Sequence, residues 1–181
     1  MDSFQIHYQW RAAGGYCFPK KFDADFRRAY CHPAVYRWRL IRVAGEQKEP
    51  IYIGEAENVV SRIQRVITPA KKAPESNTNL RLNKLFTSYV AGGRMVALDI
   101  ADIQEFEING KRYGGDTLGD RFKRRALENI ILVDAAKDSQ YELLNIVIDP
   151  VEKARAALSS LPPNVLREIL RKYAPNSVKK T

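Results

Sequence analysis

Four side chains stand out for the chemistry they can do: Tyr36 in AVYRWRLIRV, Tyr52 in EPIYIGEAEN, Arg62 in the helical stretch that follows, and Glu128 in RFKRRALENIIL. They sit where packing alone does not require polar groups. A carboxylate such as Glu128 is a natural oxygen ligand for Mg²⁺ or Mn²⁺, ions that keep several waters and take one or two protein ligands. Arg62 offers a permanent planar charge that matches a phosphate. Two phenols on neighbouring strands can point their hydroxyls into one pocket, and since a free phenol has a pKa of about 10, one used as a base needs a positive charge beside it. The set suits chemistry at a phosphate. Each member also has a plainer reading: tyrosine is common in strands, arginine is usually solvated, and Glu128 follows Arg124 at the i, i+4 spacing of a surface ion pair.

The charge balance points the same way. Thirty Lys and Arg against 21 Asp and Glu leave a net charge of +9 on 181 residues, an excess that suits a polyanion such as DNA or RNA, or else a basic surface with no partner. The length predicts one domain with terminal extensions. The sequence contains no apolar run long enough to span a bilayer and opens on MDSFQIHYQWRAAGG, unlike a secretory signal, so a cytoplasmic location is expected. Cys17 and Cys31 are the only cysteines and His7 and His32 the only histidines. A zinc site would need all four without a Cys-x-x-Cys pair, and two reduced structural thiols are the simpler expectation.

The elements that must position these residues follow from periodicity. Ala34 to Val43 alternates apolar and basic residues as a strand with one polar face, with Trp38 out of register. A polar connection leads to a second strand, IYIG, which closes a hairpin. Ala56, Val59, Val60 and Ile63 then recur at helical spacing up to Pro69. After the basic, proline-rich PAKKAPESNTN, a second helix carries Leu82, Leu85, Phe86 and Tyr89 or Val90 on one face and stops at Gly92-Gly93. RMVALDIADI alternates as a strand, and Asn109-Gly110 marks a hairpin. Asp120 is placed to cap RFKRRALENIILVDAAK, whose apolar side is expected to use Phe122, Ala126, Ile130 and Val133. YELLNIVID reads as a last strand, and the chain ends in two short amphipathic helices split by Pro162-Pro163 and a basic tail. The aromatics and basic residues between Met1 and Pro33 can grip nucleic acid or, more simply, pack an arm against the domain.

In order along the chain, AVY, a connection from Arg37 to Ile51, YIG, Arg62 on the helix after the glycine, ALENIIL and LLNI resemble the GIY-YIG nuclease family. The stretch YIGEAENVVSR is similar to the family's Tyr-Ile-Gly-x-Thr/Ala-x-Asn-Leu-x-x-Arg, with Ala56, Asn58, Val59 and Arg62 at matching offsets. The resemblance covers about two-thirds of the chain. It implies an α/β (α+β) fold, with a small, mostly antiparallel three-stranded sheet flanked by helices. Residues 34–149 would form the nuclease domain, with an insertion over about 67–119 that includes a hairpin. Residues 1–33 would be an N-terminal arm and 150–181 a C-terminal helical extension. Two departures are Ala34 in place of the family's first glycine and Val66 where a His or Tyr often stands one turn after the arginine.

The resemblance also implies roles. Tyr36 would take the proton of the attacking water and Tyr52 orient it. Arg62 would contact the scissile phosphate, and Glu128 would bind a single Mg²⁺ or Mn²⁺. Asn145 would buttress the site, with Gly54 and Asn58 structural. The insertion and the start of the Glu128 helix would hold double-stranded DNA through Lys71, Lys72, Arg81, Lys84, Lys111, Arg112, Arg121, Arg124 and Arg125. The expectation is a metal-dependent, restriction-type endonuclease that works as a homodimer or by sequential nicks. The alternatives are a non-catalytic nucleic-acid-binding module of the same fold, with Val66 as its support, and a repair, mobile-element or toxin nuclease without strict specificity.

Overall fold

A hairpin that carries both tyrosines lies at the centre of the molecule. The computed structural model describes residues 5–70, 74, 77–108 and 110–145. In chain order the elements are β1 (Gln5–Cys17), α1 (Ala24–Tyr30), β2 (Ala34–Leu40), β3 (Glu49–Ala56), α2 (Val59–Ile67), α3 (Thr78–Ala91), β4 (Val96–Ile108), β5 (Lys111–Gly114), a 3₁₀ turn (Gly115–Gly119), α4 (Arg121–Lys137) and β6 (Tyr141–Leu143). They build a mixed α/β fold with one six-stranded sheet in the order β1-β4-β2-β3-β6, with β5 paired to β4. Every pairing is antiparallel except β3 with β6.

The expected three-stranded sheet is therefore too small. Strands β4, β2 and β3 form its antiparallel middle, but residues expected to form an N-terminal arm supply β1, a long strand along β4. Its apolar and aromatic side chains carry this pairing: Tyr8 and Trp10 pack against the core on one side of the sheet, Ala13 on the other. The hairpin expected at Asn109-Gly110 joins β4 to β5, with Gly110 at φ 74°, a left-handed conformation that favours glycine. The C-terminal helices, Lys71 and Lys72 lie outside the described residues.

Helices cover both faces. On one, Tyr36, Trp38, Leu40, Tyr52 and Leu98 pack with Val59, Ile63 and Val66 of α2 and Leu82 and Phe86 of α3. On the other, Val35, Ile51, Ile53 and Ala101 pack with Leu127 and Ile131 of α4. Trp38 is thus in register with Tyr36 and Leu40. The polar face of β2, which carries Arg37 and Arg39, is covered as well. Asp99, directly across from Arg37, accepts from Arg37 Nε at 2.8 Å and Arg39 Nε at 2.7 Å, and Glu49 lies 3.3 Å from Arg39. The Arg37 guanidinium lies over the Trp10 ring at 4.5 Å. Opposite charges let both arginines enter a covered face at tolerable desolvation cost.

Asp99 carries this arrangement, since its side chain is 3% exposed against 11% for Arg37 and 26% for Arg39. Asp99→Ala strands two guanidinium groups, and because both keep some access to water the loss is expected at about 3 kcal/mol, the low end for a broken buried pair. The urea midpoint reads it, and an unchanged midpoint would show that the cluster contributes nothing net.

Capping and burial set the remaining helices. Asp120 Oδ1 accepts from the backbone of Phe122 at 2.7 Å and Lys123 at 3.4 Å, the expected cap of α4. The buried stripe of α4 is Arg124, Leu127, Ile131, Val133 and Ala136, so the expected apolar side is rotated: Val133 belongs to it, while Phe122 points to solvent. The buried Arg124 causes the offset, taking an inward position that hydropathy alone assigns to an apolar residue.

Candidate active site

The hairpin register brings the site together. Tyr36 on β2 lies directly across from Gly54 on β3, and Trp38 from Tyr52. Period-two alternation puts Tyr36 and Tyr52 on the same face, below α2. Asn58 caps α2 by accepting from the Ser61 amide at 2.9 Å, and its Nδ2 donates to the Cys31 carbonyl at 3.3 Å. With Val59, Val60, Ile63 and Val66 buried, the helix is held in the rotation that turns Arg62 toward the strands. Arg62 Nε donates to the Tyr36 hydroxyl oxygen at 2.9 Å, and its Nη1 donates to Asn79 Oδ1 at the start of α3.

Gly54 makes the Tyr36 position available. A Cβ at residue 54 would fall 2.6 Å from the Tyr36 hydroxyl, 2.8 Å from its Cζ and 3.2 Å from Tyr52 Cε1. The phenol occupies the space that a side chain would take.

The electrostatics tie Glu128 and Tyr52 to this group. Burial pushes the Tyr36 pKa up, more than the charge and hydrogen bond of Arg62 pull it down, and the nearby carboxylates of Glu128 and Glu55 raise it further. Burial works against the charge of Arg62, but the oxygens of Tyr36 and Tyr52 outweigh it and raise its pKa above the ordinary value. Tyr36, Tyr52 and Arg62 are thus in contact, with Glu128 near enough for its charge to be felt. Asn145 stands behind them: its Oδ1 accepts from Ile53 N at 2.9 Å and its Nδ2 donates to Ile53 O at 2.6 Å. The side chain mimics one more strand residue, continuing the β3–β6 pairing beside Gly54.

The raised tyrosines give a pH prediction. Tyr8 is pushed up to about 12 by burial and by Asp134, whose carboxylate accepts from its hydroxyl at 3.4 Å. A phenol whose folded pKa lies above that of the unfolded chain, about 10, adds stability below that pH and loses it as pH rises through the folded value. In an alkaline titration followed by tyrosinate absorbance, Tyr8 and Tyr36 are expected to ionise above the ordinary phenol range. Tyr8→Phe and Tyr36→Phe should each remove one late group. Late ionisation that persists in both variants would contradict this assignment.

The residues expected to bind DNA separate into groups. On α3, Lys84 is exposed and Arg81 half-buried. Lys111 of β5 lies 5.6 Å from the Tyr113 ring centroid and Lys123 of α4 4.6 Å from it, so the hairpin and the start of α4 share a basic edge; Arg121 and Arg125 are exposed on α4, Arg125 3.8 Å from Glu55, and Arg112 alternates to the other face of β5, 3.5 Å from Glu107. Arg124 does not belong to that edge. It is buried, its Nε donates to Glu55 Oε2 at 2.9 Å, and its Nη1 donates to the carbonyls of Leu118 and Gly119 at 2.8 and 2.9 Å. It cannot meet a backbone phosphate, and it anchors the first turns of α4 to β3 beside Gly54. Val66 is wholly buried, and the polar partner on the far side of Arg62 is Asn79.

Asn79, Glu55 and the inward Arg124 were not singled out from the sequence. Asn79 is separated from Arg62 by a proline-rich loop, and nothing in local spacing connects the two. Glu55 directly follows Gly54, and alternation alone sends it to the α4 face. Among the described residues no group of three or more His, Cys, Asp or Glu is placed to hold a metal ion, and no helix is long and apolar enough to cross a membrane.

Fold and site together define a mixed α/β protein with a Tyr-Tyr-Arg cluster, inside the sheet-helix layer, that feels a carboxylate. No family model, curated protein or solved structure matches the chain.

Proposed function

We propose that this protein is a divalent-metal-dependent endonuclease that hydrolyses DNA phosphodiester bonds, with a GIY-YIG-like site of Tyr36, Tyr52, Arg62 and Glu128. One observation carries the reading: Arg62 is hydrogen-bonded to Tyr36 across a glycine that leaves room for the phenol, with Tyr52 and the charge of Glu128 alongside. Tyr36 and Tyr52 also belong to the core, but the hydrogen bond that Arg62 makes to the Tyr36 hydroxyl is a polar arrangement that core packing does not require.

In hydrolysis the oxygen of a water bonds to phosphorus, the bond to the 3′ oxygen breaks, and that oxygen leaves with a proton from the water. Negative charge builds on the non-bridging oxygens, where a fixed positive group helps most. Arg62 supplies it, oriented by Tyr36 and Asn79. Tyr36 is assigned here the positioning of Arg62 rather than the base role that the resemblance implied, because burial keeps its hydroxyl protonated near neutral pH. Tyr52, whose oxygen also bears on Arg62, orients the water.

Two carboxylates, Glu55 and Glu128, act on Tyr36, and Glu128 is the one that the resemblance assigns to Mg²⁺ or Mn²⁺. A single carboxylate completed by waters and phosphate oxygens fits such an ion. When bound, the ion would polarise the phosphate and acidify a water. The full burial of Tyr36 favours a second reading, a nucleic-acid-binding module that kept the fold without efficient chemistry. Incubation of the full chain with plasmid and genomic DNA, with Mg²⁺ or Mn²⁺ and with EDTA, separates the two. Metal-dependent discrete fragments support the nuclease; salt-sensitive binding with no cleavage under either metal supports the module.

A further inference from the structure

Phe122 is 89% exposed, whereas Phe18, Phe26, Phe86 and Phe106 are all buried. It occupies the first turn of α4, beside Arg121 and Arg125, and Lys123 and Lys111 share the Tyr113 ring next to it. Successive helix residues are about 100° apart, so Glu128, Arg125 and Phe122 follow one another around α4 in steps of about 60°, from the edge of the core out to solvent. Arg124 fixes this part of the helix to Glu55, next to Gly54 in β3. The exposed ring and the basic side chains of α4 thus sit on a helix fixed to the hairpin that carries Tyr36, on the sheet face opposite α2.

We infer that Phe122 is a stacking wedge, which inserts against a base step of duplex DNA while Arg121, Arg125 and Lys111 hold the flanking phosphates. The inference rests on the nucleic-acid reading given above. A large aromatic left in water among cations has the composition of a base-stacking platform, in which every base offers a π-face and the cations supply sequence-independent grip. Charge argues against a second copy of the chain as the occupant. Two such faces would bring Arg121, Lys123 and Arg125 against their own equivalents, a like-charge juxtaposition that costs affinity. The carboxylates of Asp120 and Glu107 are engaged by the α4 cap and by Arg112 at 3.5 Å.

The test uses the full chain in EDTA, so that binding is read without cleavage, and a duplex with 2-aminopurine replacing one adenine. Wild type is expected to bind with increased fluorescence as the step unstacks. Phe122→Ala should bind about tenfold more weakly and without that increase. Phe122→Trp should keep both. Equal affinity and fluorescence change in Phe122→Ala and wild type would overturn the wedge while leaving the nucleic-acid reading intact. No binding by wild type would overturn both. Loss of dimerisation, or of binding to phosphatidylserine vesicles, in a Phe122→Ala chain with unchanged DNA affinity would assign the ring to another partner and overturn the proposal.

Discussion

Arg62→Ala is expected to slow metal-dependent DNA cleavage by about a hundred- to a thousandfold, the usual cost of removing one preorganised group from developing charge. Duplex binding should change much less, because Lys111, Arg121 and Arg125 remain. The effect is large because the guanidinium is held at two points, by the Tyr36 hydroxyl through Nε and by Asn79 through Nη1, and needs no reorganisation when charge appears. Arg62→Lys is expected to restore little, since a compact ammonium on a flexible stem cannot reproduce a planar fork. Single-turnover rates at saturating enzyme separate chemistry from binding. An Arg62→Ala chain that cuts at the wild-type rate would remove Arg62 from the site.

Gly54→Ala is the second large effect, and it acts on stability and activity together. The new methyl group would lie 2.6 Å from the Tyr36 hydroxyl and 2.8 Å from Cζ. Tyr36 is wholly buried between β3 and β4, so the ring cannot swing away into solvent. Overpacking of this kind costs about 1–3 kcal/mol. Any accommodation shifts the oxygen that orients Arg62, and a displacement of about 1 Å in a positioning group can lower a rate about a hundredfold. Adding Tyr36→Phe removes the closest atom, so the double variant should recover part of the stability but none of the activity. That non-additivity is the signature of a direct contact. Wild-type melting and cleavage in Gly54→Ala alone would show that residue 54 has room and that Tyr36 is not held as described.

Local patterns carried much of this architecture. The β2–β3 hairpin, the Gly92-Gly93 stop and the Asp120 cap each follow from side chains acting over short stretches of chain, and each is found where its signal lies, whereas the helix expected from Ala56 onward begins at Val59, because Ala56 still pairs with Ala34 in the hairpin. What spacing did not reveal depends on contacts between distant segments. β1 joins the sheet because β4 offers it an edge, which the composition of the N-terminal segment cannot express. Arg37, Arg39 and Arg124 read as polar-face residues until Asp99, Glu49 and Glu55 are seen opposite them. Once Arg124 turns inward, α4 rotates and Phe122, an apolar-side residue by hydropathy, is left in solvent.

For the site, Tyr36, Tyr52, Arg62 and Glu128 could be picked out by residue type and order. Asn79 could not, because its partner lies on another helix. Asn145 owes its place to two hydrogen bonds with one residue of β3, a long-range match that no periodicity encodes.

The most direct test of the nuclease reading is single-turnover cleavage of one defined duplex by wild-type protein and Glu128→Ala, each with Mg²⁺ or Mn²⁺ and with EDTA, after equal duplex binding has been verified. The reading predicts cleavage by wild type only with metal, and none above background by Glu128→Ala. Equal cleavage by both proteins, or no cleavage by tightly bound wild type under either metal, would contradict it.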